Sequence, residues 1–161
     1  MLTTDWGDKL IFLVIGAVVA WLLQQIRVAW AEDIAVVNEH IKDIEKLSEA
    51  GQNYWLKHPA DKNEDQALAA RVRAAHAATT LLYPAMAKAC GKRKDEYERL
   101  SIELFTEATG GNFESGGRTL DPSRAIAIHD HAVKLIHLLR ISRRGLLSLR
   151  RLGKLHGFYD Q

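Results

Sequence analysis

The feature that most constrains this chain is a run of fourteen residues without a charged or polar side chain, Leu10–Leu23. An amphipathic core helix keeps a polar stripe, and this run has none over almost four turns. At about 1.5 Å per residue the run is roughly 21 Å long, whereas a bilayer core is about 30 Å thick. Lys9 and Arg27 can extend toward the interfaces and lengthen it. We therefore predict a membrane span of about residues 9–27 within an anchor of residues 1–30.

Tryptophans near both ends support this span, since indole rings favour the membrane interface. They are Trp6, Trp21 and Trp30. The side chains predicted to lie in lipid are Leu10, Ile11, Phe12, Leu13, Val14, Ile15, Val18, Val19, Trp21, Leu22 and Leu23.

Two other interpretations of the apolar run stay open. Ala29-Trp30-Ala31 resembles the cleavage site of a signal peptide, but Asp5 and Asp8 oppose a single Lys9 before the run, and Arg27 falls where a neutral region is expected. The run could instead be buried by other parts of the protein or by further copies of it. The missing polar stripe favours the membrane anchor over both.

The same helix is predicted to continue past the bilayer, because residues 27–50 contain no glycine or proline. Apolar residues recur there at spacings of three and four, which places them on one helical face. They are Ile34, Val37, Ile41, Ile44 and Leu47. Gly51 is predicted to end this helix, and residues 51–63 are predicted to form a loop in which Tyr54, Trp55 and Leu56 tuck against the end of the domain.

Three further helices are predicted. The second begins near Asn63, is kinked or split at Pro84 and ends near Gly91. The third covers about Lys94–Ala108, and a glycine-rich loop follows at residues 110–118. The last helix begins at Asp121 and Pro122, a capping residue followed by the residue type favoured in the first helical turn. Their apolar stripes are Leu68, Val72, Ala75, Thr79 and Leu82; Tyr97, Leu100, Leu104 and Phe105; and Ile128, Ala132, Leu135 and Leu139.

The fold class predicted from these elements is all-α, with a single N-terminal transmembrane helix that continues into an antiparallel bundle of about four helices. The bundle is assigned to residues 31–161, and no sheet is expected. An antiparallel order brings the end of the fourth helix back toward the membrane.

The C-terminal segment, residues 138–156, is basic and rich in leucine, and residues 122–161 carry eight basic and two acidic side chains, a net charge of +6. A basic amphipathic helix can lie on an anionic leaflet. The residues predicted to contact the membrane surface or another anion are Arg140, Arg143, Arg144, Arg150, Arg151 and Lys154. Pairing with the acidic residues 31–49 is an alternative. Nucleic acid is not expected as a partner, because there is no groove-reading motif or aromatic array.

No arrangement of residues predicts an active site, a cofactor or a metal site. Seven histidines lack a ligand spacing such as H-E-x-x-H. Cys90 precedes a basic run that could activate a thiol, but an idle cysteine is the simpler interpretation. The glycine-rich loop lacks the residues of a phosphate-binding loop, and we predict instead a mobile partner-binding loop with Phe113 at an exposed tip.

The predicted function is that of a non-enzymatic, membrane-anchored adaptor or subunit of a membrane-associated complex. The lipid bilayer and either a protein partner or a second copy of the chain are its predicted partners. The charge distribution favours an N-out, C-in orientation with the soluble domain in the cytoplasm.

Two alternatives remain. A membrane-perturbing effector could self-associate through the small residues Gly16, Ala17 and Ala20. An enzyme acting on a lipid or a membrane-bound substrate could use the histidines together with Asp130.

Overall fold

A computed structural model describes residues 4–115 and 118–146, and within these ranges the protein is all-helical, with no β-strand. The all-α prediction is confirmed. The α-helices are α1 (Thr4–Leu56), α2 (Lys62–Cys90), α3 (Lys94–Thr109) and α4 (Pro122–Leu146), and a 3₁₀ turn at Gly91–Arg93 joins α2 to α3.

Helix α1 is longer than predicted, because it continues through Gly51 to Leu56. Gly51 is buried inside the helix, where an added Cβ would lie 3.1 Å from Cδ1 of Ile128. The glycine therefore permits close approach of α4 and does not end α1, so the predicted loop at residues 51–56 is wrong. The extra turn buries the aromatic rings of Tyr54 and Trp55, whereas Leu56 is exposed.

The other helix boundaries follow their capping residues. Asp61 caps α2 by accepting a hydrogen bond from the backbone N–H of Glu64 at 2.8 Å. Asp121 caps α4 in the same way, accepting from the N–H of Arg124 at 3.0 Å, as predicted. Pro84 lies inside one continuous α2, so the predicted split of that helix does not occur.

The described chain divides into two units. One ends at Ala35 and the other begins at Val36, so α1 contributes to both. In the second unit, residues 36–56 of α1 share one hydrophobic core with α2, α3 and α4. The predicted apolar stripes supply most of this core. Its completely buried side chains include Ile44, Leu47, Tyr54, Val72, Tyr97, Leu104 and Ile128.

Hydrogen bonds between the helices of the second unit fix their positions along one another. The indole N–H of Trp55, at the end of α1, donates to the carbonyl oxygen of Ala108, at the end of α3, at 3.2 Å. The N–H of Asp121, just before α4, donates to the carbonyl oxygen of Trp55 at 3.0 Å. At the other end of this unit, the side chains of His40 on α1 and Tyr97 on α3 meet.

Candidate functional site

The apolar part of α1 in the first unit is not covered by other described residues. All the side chains predicted to lie in lipid are exposed, and those of Phe12 and Leu13 are 74% and 71% accessible. This helix contains an 18-residue window with a mean hydropathy of 2.0, and none of that window is buried. The length and composition of the helix fit a membrane span or a signal sequence.

A buried polar pair lies inside the second unit. The hydroxyl of Tyr97 and Nε2 of His40 are 2.9 Å apart, and both side chains are at most 2% exposed. Nδ1 of His40 is buried and has no hydrogen-bond partner among the described atoms. Burial lowers the pKa of His40 from its usual 6.5 to about 4, although nearby Asp43 opposes this shift. The imidazole is therefore neutral at physiological pH.

The His40 pair predicts a loss of stability in acid. The unfolded chain binds a proton to this imidazole below about pH 6.5, and the folded chain does so only below about pH 4. Lowering the pH through this window should therefore reduce the free energy of unfolding by about 3 kcal/mol. Denaturant titrations of the wild type and His40→Phe at several pH values measure the effect. If the free energy of unfolding of His40→Phe falls with pH as steeply as that of the wild type, the assignment to His40 is wrong.

Two other side chains that could act as nucleophiles or acids, Cys90 and Tyr97, are buried in the same unit. Burial raises the pKa of the Cys90 thiol, which keeps the sulfur protonated and weakens it as a nucleophile. Burial also raises the pKa of Tyr97. Among the described residues, no group of three or more His, Cys, Asp or Glu side chains is placed to hold a metal ion.

The glycine-rich loop is held against the end of the second unit by Tyr54. The Tyr54 hydroxyl accepts a hydrogen bond from the N–H of Glu114 at 2.8 Å, and its ring centroid lies 4.8 Å from that of Phe113. Phe113 is half-buried against the core, so the prediction that it forms an exposed tip is wrong. Packing against the buried Tyr54 ring removes part of the apolar Phe113 side chain from water. A partner-binding role for the loop stays a prediction.

Arg118 anchors the far side of this loop. Its side chain is 3% exposed, and one terminal nitrogen lies 2.7 Å from a carboxylate oxygen of Asp65. The guanidinium also stacks over the Tyr54 ring, 4.3 Å from the centroid. An open groove of about 1040 Å³ adjoins these residues. Its charged lining side chains are three acidic ones, Asp61, Asp65 and Glu114, and three basic ones, Lys62, Arg73 and Arg118. Because the two charges balance, the groove favours neither an anion nor a cation.

A second groove, of about 550 Å³, lies between the last part of α1 and α4. Its apolar lining includes Leu56 and Val133, which are 49% and 50% exposed, and half-buried Ile136. The α1 wall carries the carboxylates of Glu45 and Glu49. The α4 wall carries His129, His137 and Arg140. We call this feature, with these side chains, the α1–α4 groove.

The structure describes the predicted basic contact residues only in part. Arg140 is exposed on α4 and lines the α1–α4 groove. The side chains of Arg143 and Arg144 lie outside the description, although both residues belong to α4. Arg150, Arg151 and Lys154 lie outside the described residues. Their contact with a membrane surface stays a prediction.

The sequence interpretation missed His40 and Arg118 as organising residues, and it predicted the packing of Tyr54 against the end of the domain but not its contacts with the glycine-rich loop. A signal for His40 was present, because helical spacing places this polar side chain on the apolar face of α1, beside Val37 and Ile41. No comparable local signal marks Arg118, whose partners Asp65 and Tyr54 lie far away in the sequence. Comparisons with family models, curated proteins and solved structures found no match to this chain.

Proposed function

We propose that this protein is a non-enzymatic, membrane-anchored adaptor or subunit of a membrane-associated complex. The observation that carries the proposal is the apolar helix of the first unit, whose large apolar side chains are exposed and which has no polar stripe. Hydrocarbon solvates such a surface, because it removes about ten large apolar side chains from water. A signal peptide is the weaker interpretation, since its candidate cleavage residues 29–31 lie in the interior of α1.

We also propose that the second unit is an antiparallel four-helix bundle. The His40–Tyr97 and Trp55–Ala108 contacts follow each other in the same order along α1 and α3, which is expected if those helices run in the same direction. The start of α4 lies at the end of α1, as the contact of Asp121 with Trp55 requires, so α4 runs in the opposite direction. Lys57 and Glu64 pair across the short connection to α2, which supports the same reversal there.

The proposed activity is binding of a protein partner or of a second copy through this bundle. The α1–α4 groove supports it, because half-exposed apolar side chains lie there beside charged ones, a mixture found at protein interfaces. We propose that the basic C-terminal segment contacts an anionic leaflet, which favours the N-out, C-in orientation.

Reconstitution of the full chain into liposomes tests the anchor. We expect the protein to float with neutral vesicles and to stay with them after an alkaline wash, because a spanning helix is held by hydrophobic burial and not by charge. A protease added outside should leave a protected fragment that contains residues 10–23. Vesicles containing anionic lipid serve to measure the added contribution of the basic segment.

Protein that returns to the aqueous fraction after the wash would overturn the anchor and the adaptor function built on it. Dye release from the same vesicles separates the adaptor from a membrane-perturbing effector. We expect no release at protein loadings that saturate flotation, and release would support the effector.

A further inference from the structure

The two walls of the α1–α4 groove carry opposite charges. Glu45 and Glu49 are exposed on the α1 wall, and His137 and Arg140 are exposed on the α4 wall. Within the described part of the chain, no ion pair joins one wall to the other. Their charges are therefore available to a molecule that lies along the groove and presents the reverse arrangement.

The register of the two helices sets the heights of the charged residues along the groove. Gly51 packs against Ile128, and the end of α1 meets the start of α4, so the helices run in opposite directions. Counting about 1.5 Å per residue from this contact places Glu49 near the height of His129. Glu45 then lies between the heights of His129 and His137, and Arg140 lies about 9 Å beyond Glu45 along the groove.

We infer that the partner seated on the α1–α4 groove is a second copy of this chain, related to the first by a two-fold axis parallel to the two helices. This operation places the α1 wall of one protomer against the α4 wall of its partner at the same height, and does so twice. The wall that carries Glu45 and Glu49 then faces the wall that carries His137 and Arg140 at both contacts, and the two contacts are identical, as in any isologous interface. The inference rests on the proposed function, because it names the partner that the adaptor's groove binds.

The apolar lining fits the same arrangement. Leu56 belongs to the α1 wall, and Val133 and Ile136 belong to the α4 wall, so two facing grooves bring these side chains into one interface. Their burial would supply the attraction, and the charges on the same walls would set the direction of the two copies. A two-fold axis perpendicular to the helices instead places acidic wall on acidic wall, which like-charge repulsion disfavours.

Charge reversal on each wall separately tests the inference in the full chain. The acidic-wall variant is Glu45→Lys with Glu49→Lys, and the basic-wall variant is His137→Glu with Arg140→Glu. Copies with two different affinity tags are reconstituted together in bilayers at low protein density, and co-purification of the two tags measures self-association. The exposed pair Lys88→Glu with Lys92→Glu is the control for added negative charge outside the groove.

We expect wild-type copies to co-purify and each reversed variant to lose self-association by at least about tenfold, because like charges then face each other at both contacts. Mixing the acidic-wall and basic-wall variants should restore co-purification, since both contacts then join opposite charges. No unrelated partner protein gives this rescue. The Lys88 and Lys92 control should behave as the wild type does.

Several outcomes would overturn the inference. One is wild-type protein that stays in the membrane but does not self-associate, which leaves the adaptor function standing. Another is self-association that survives both reversals, which would assign it to the apolar helix. A third is self-association that appears only after residues 147–161 are removed, which would assign the groove to the chain's own C-terminal segment. Release from the membrane would instead contradict the proposed function.

Discussion

Val14→Asp together with Val18→Asp is expected to release the chain from the membrane. Each aspartate near the centre of a spanning helix disfavours insertion by about 2.5–3.5 kcal/mol, so the pair opposes it by roughly 5–7 kcal/mol. The leucine, isoleucine, phenylalanine and valine side chains of the run favour insertion by only about 0.3–0.6 kcal/mol each, or roughly 3–6 kcal/mol for ten of them. The two aspartates are therefore expected to cancel the driving force.

The fraction of protein that stays with vesicles after an alkaline wash measures this effect. Val14→Leu together with Val18→Leu is the matched control, because it changes the same two exposed positions and should keep the protein in the membrane. Retention of the aspartate variant at the wild-type level would show that the helix is held by something other than hydrocarbon. Neither change touches the core that begins at Val36.

Tyr54→Ala is expected to destabilise the second unit by about 4 kcal/mol, the usual effect of removing a large buried aromatic side chain. Tyr54 is fully buried and packs edge-on against Trp55, with ring centroids 5.0 Å apart. The substitution also removes the surface on which Phe113 and Arg118 rest. Because small domains are stable by only about 5–15 kcal/mol, this is a large share of the total.

Tyr54→Phe separates the ring from its hydroxyl. It keeps the ring contacts and removes only the acceptor for the N–H of Glu114, so we expect a loss of about 1 kcal/mol. Denaturant unfolding followed by tryptophan fluorescence measures both variants. Equal losses for the two substitutions would contradict the role of the ring, and a negligible loss for Tyr54→Ala would contradict the anchoring of the glycine-rich loop by this residue.

Periodicity and capping predicted the elements of the second unit well. The apolar spacing of α3 predicted its buried face, and the Asp121–Pro122 pair predicted the start of α4 to the residue. These signals are local, because they depend on helical geometry and on hydrogen bonds within one turn. Gly51 misled the prediction because its usual meaning as a helix terminator is also local. In the folded chain, close approach to Ile128 decides its role.

The candidate sites show the same division. The apolar run was identifiable because its property, the absence of a polar stripe, belongs to consecutive residues. The α1–α4 groove was not identifiable from the sequence, because Glu45 and Arg140 line the same groove only when α4 packs against α1. The pairing of Tyr97 with His40 and of Arg118 with Asp65 likewise joins residues that are distant in the sequence.

By itself, the sequence determined that this chain is helical, where most of its helices begin, which faces they bury, and that one helix is apolar on every side. The tertiary structure alone decided that α1 continues to Leu56, that Phe113 packs inward, and that opposite charges flank one groove. The physical reason is range. Helix propensity, capping and amphipathicity act within a few residues, whereas burial and charge complementarity depend on which distant segments the fold brings together.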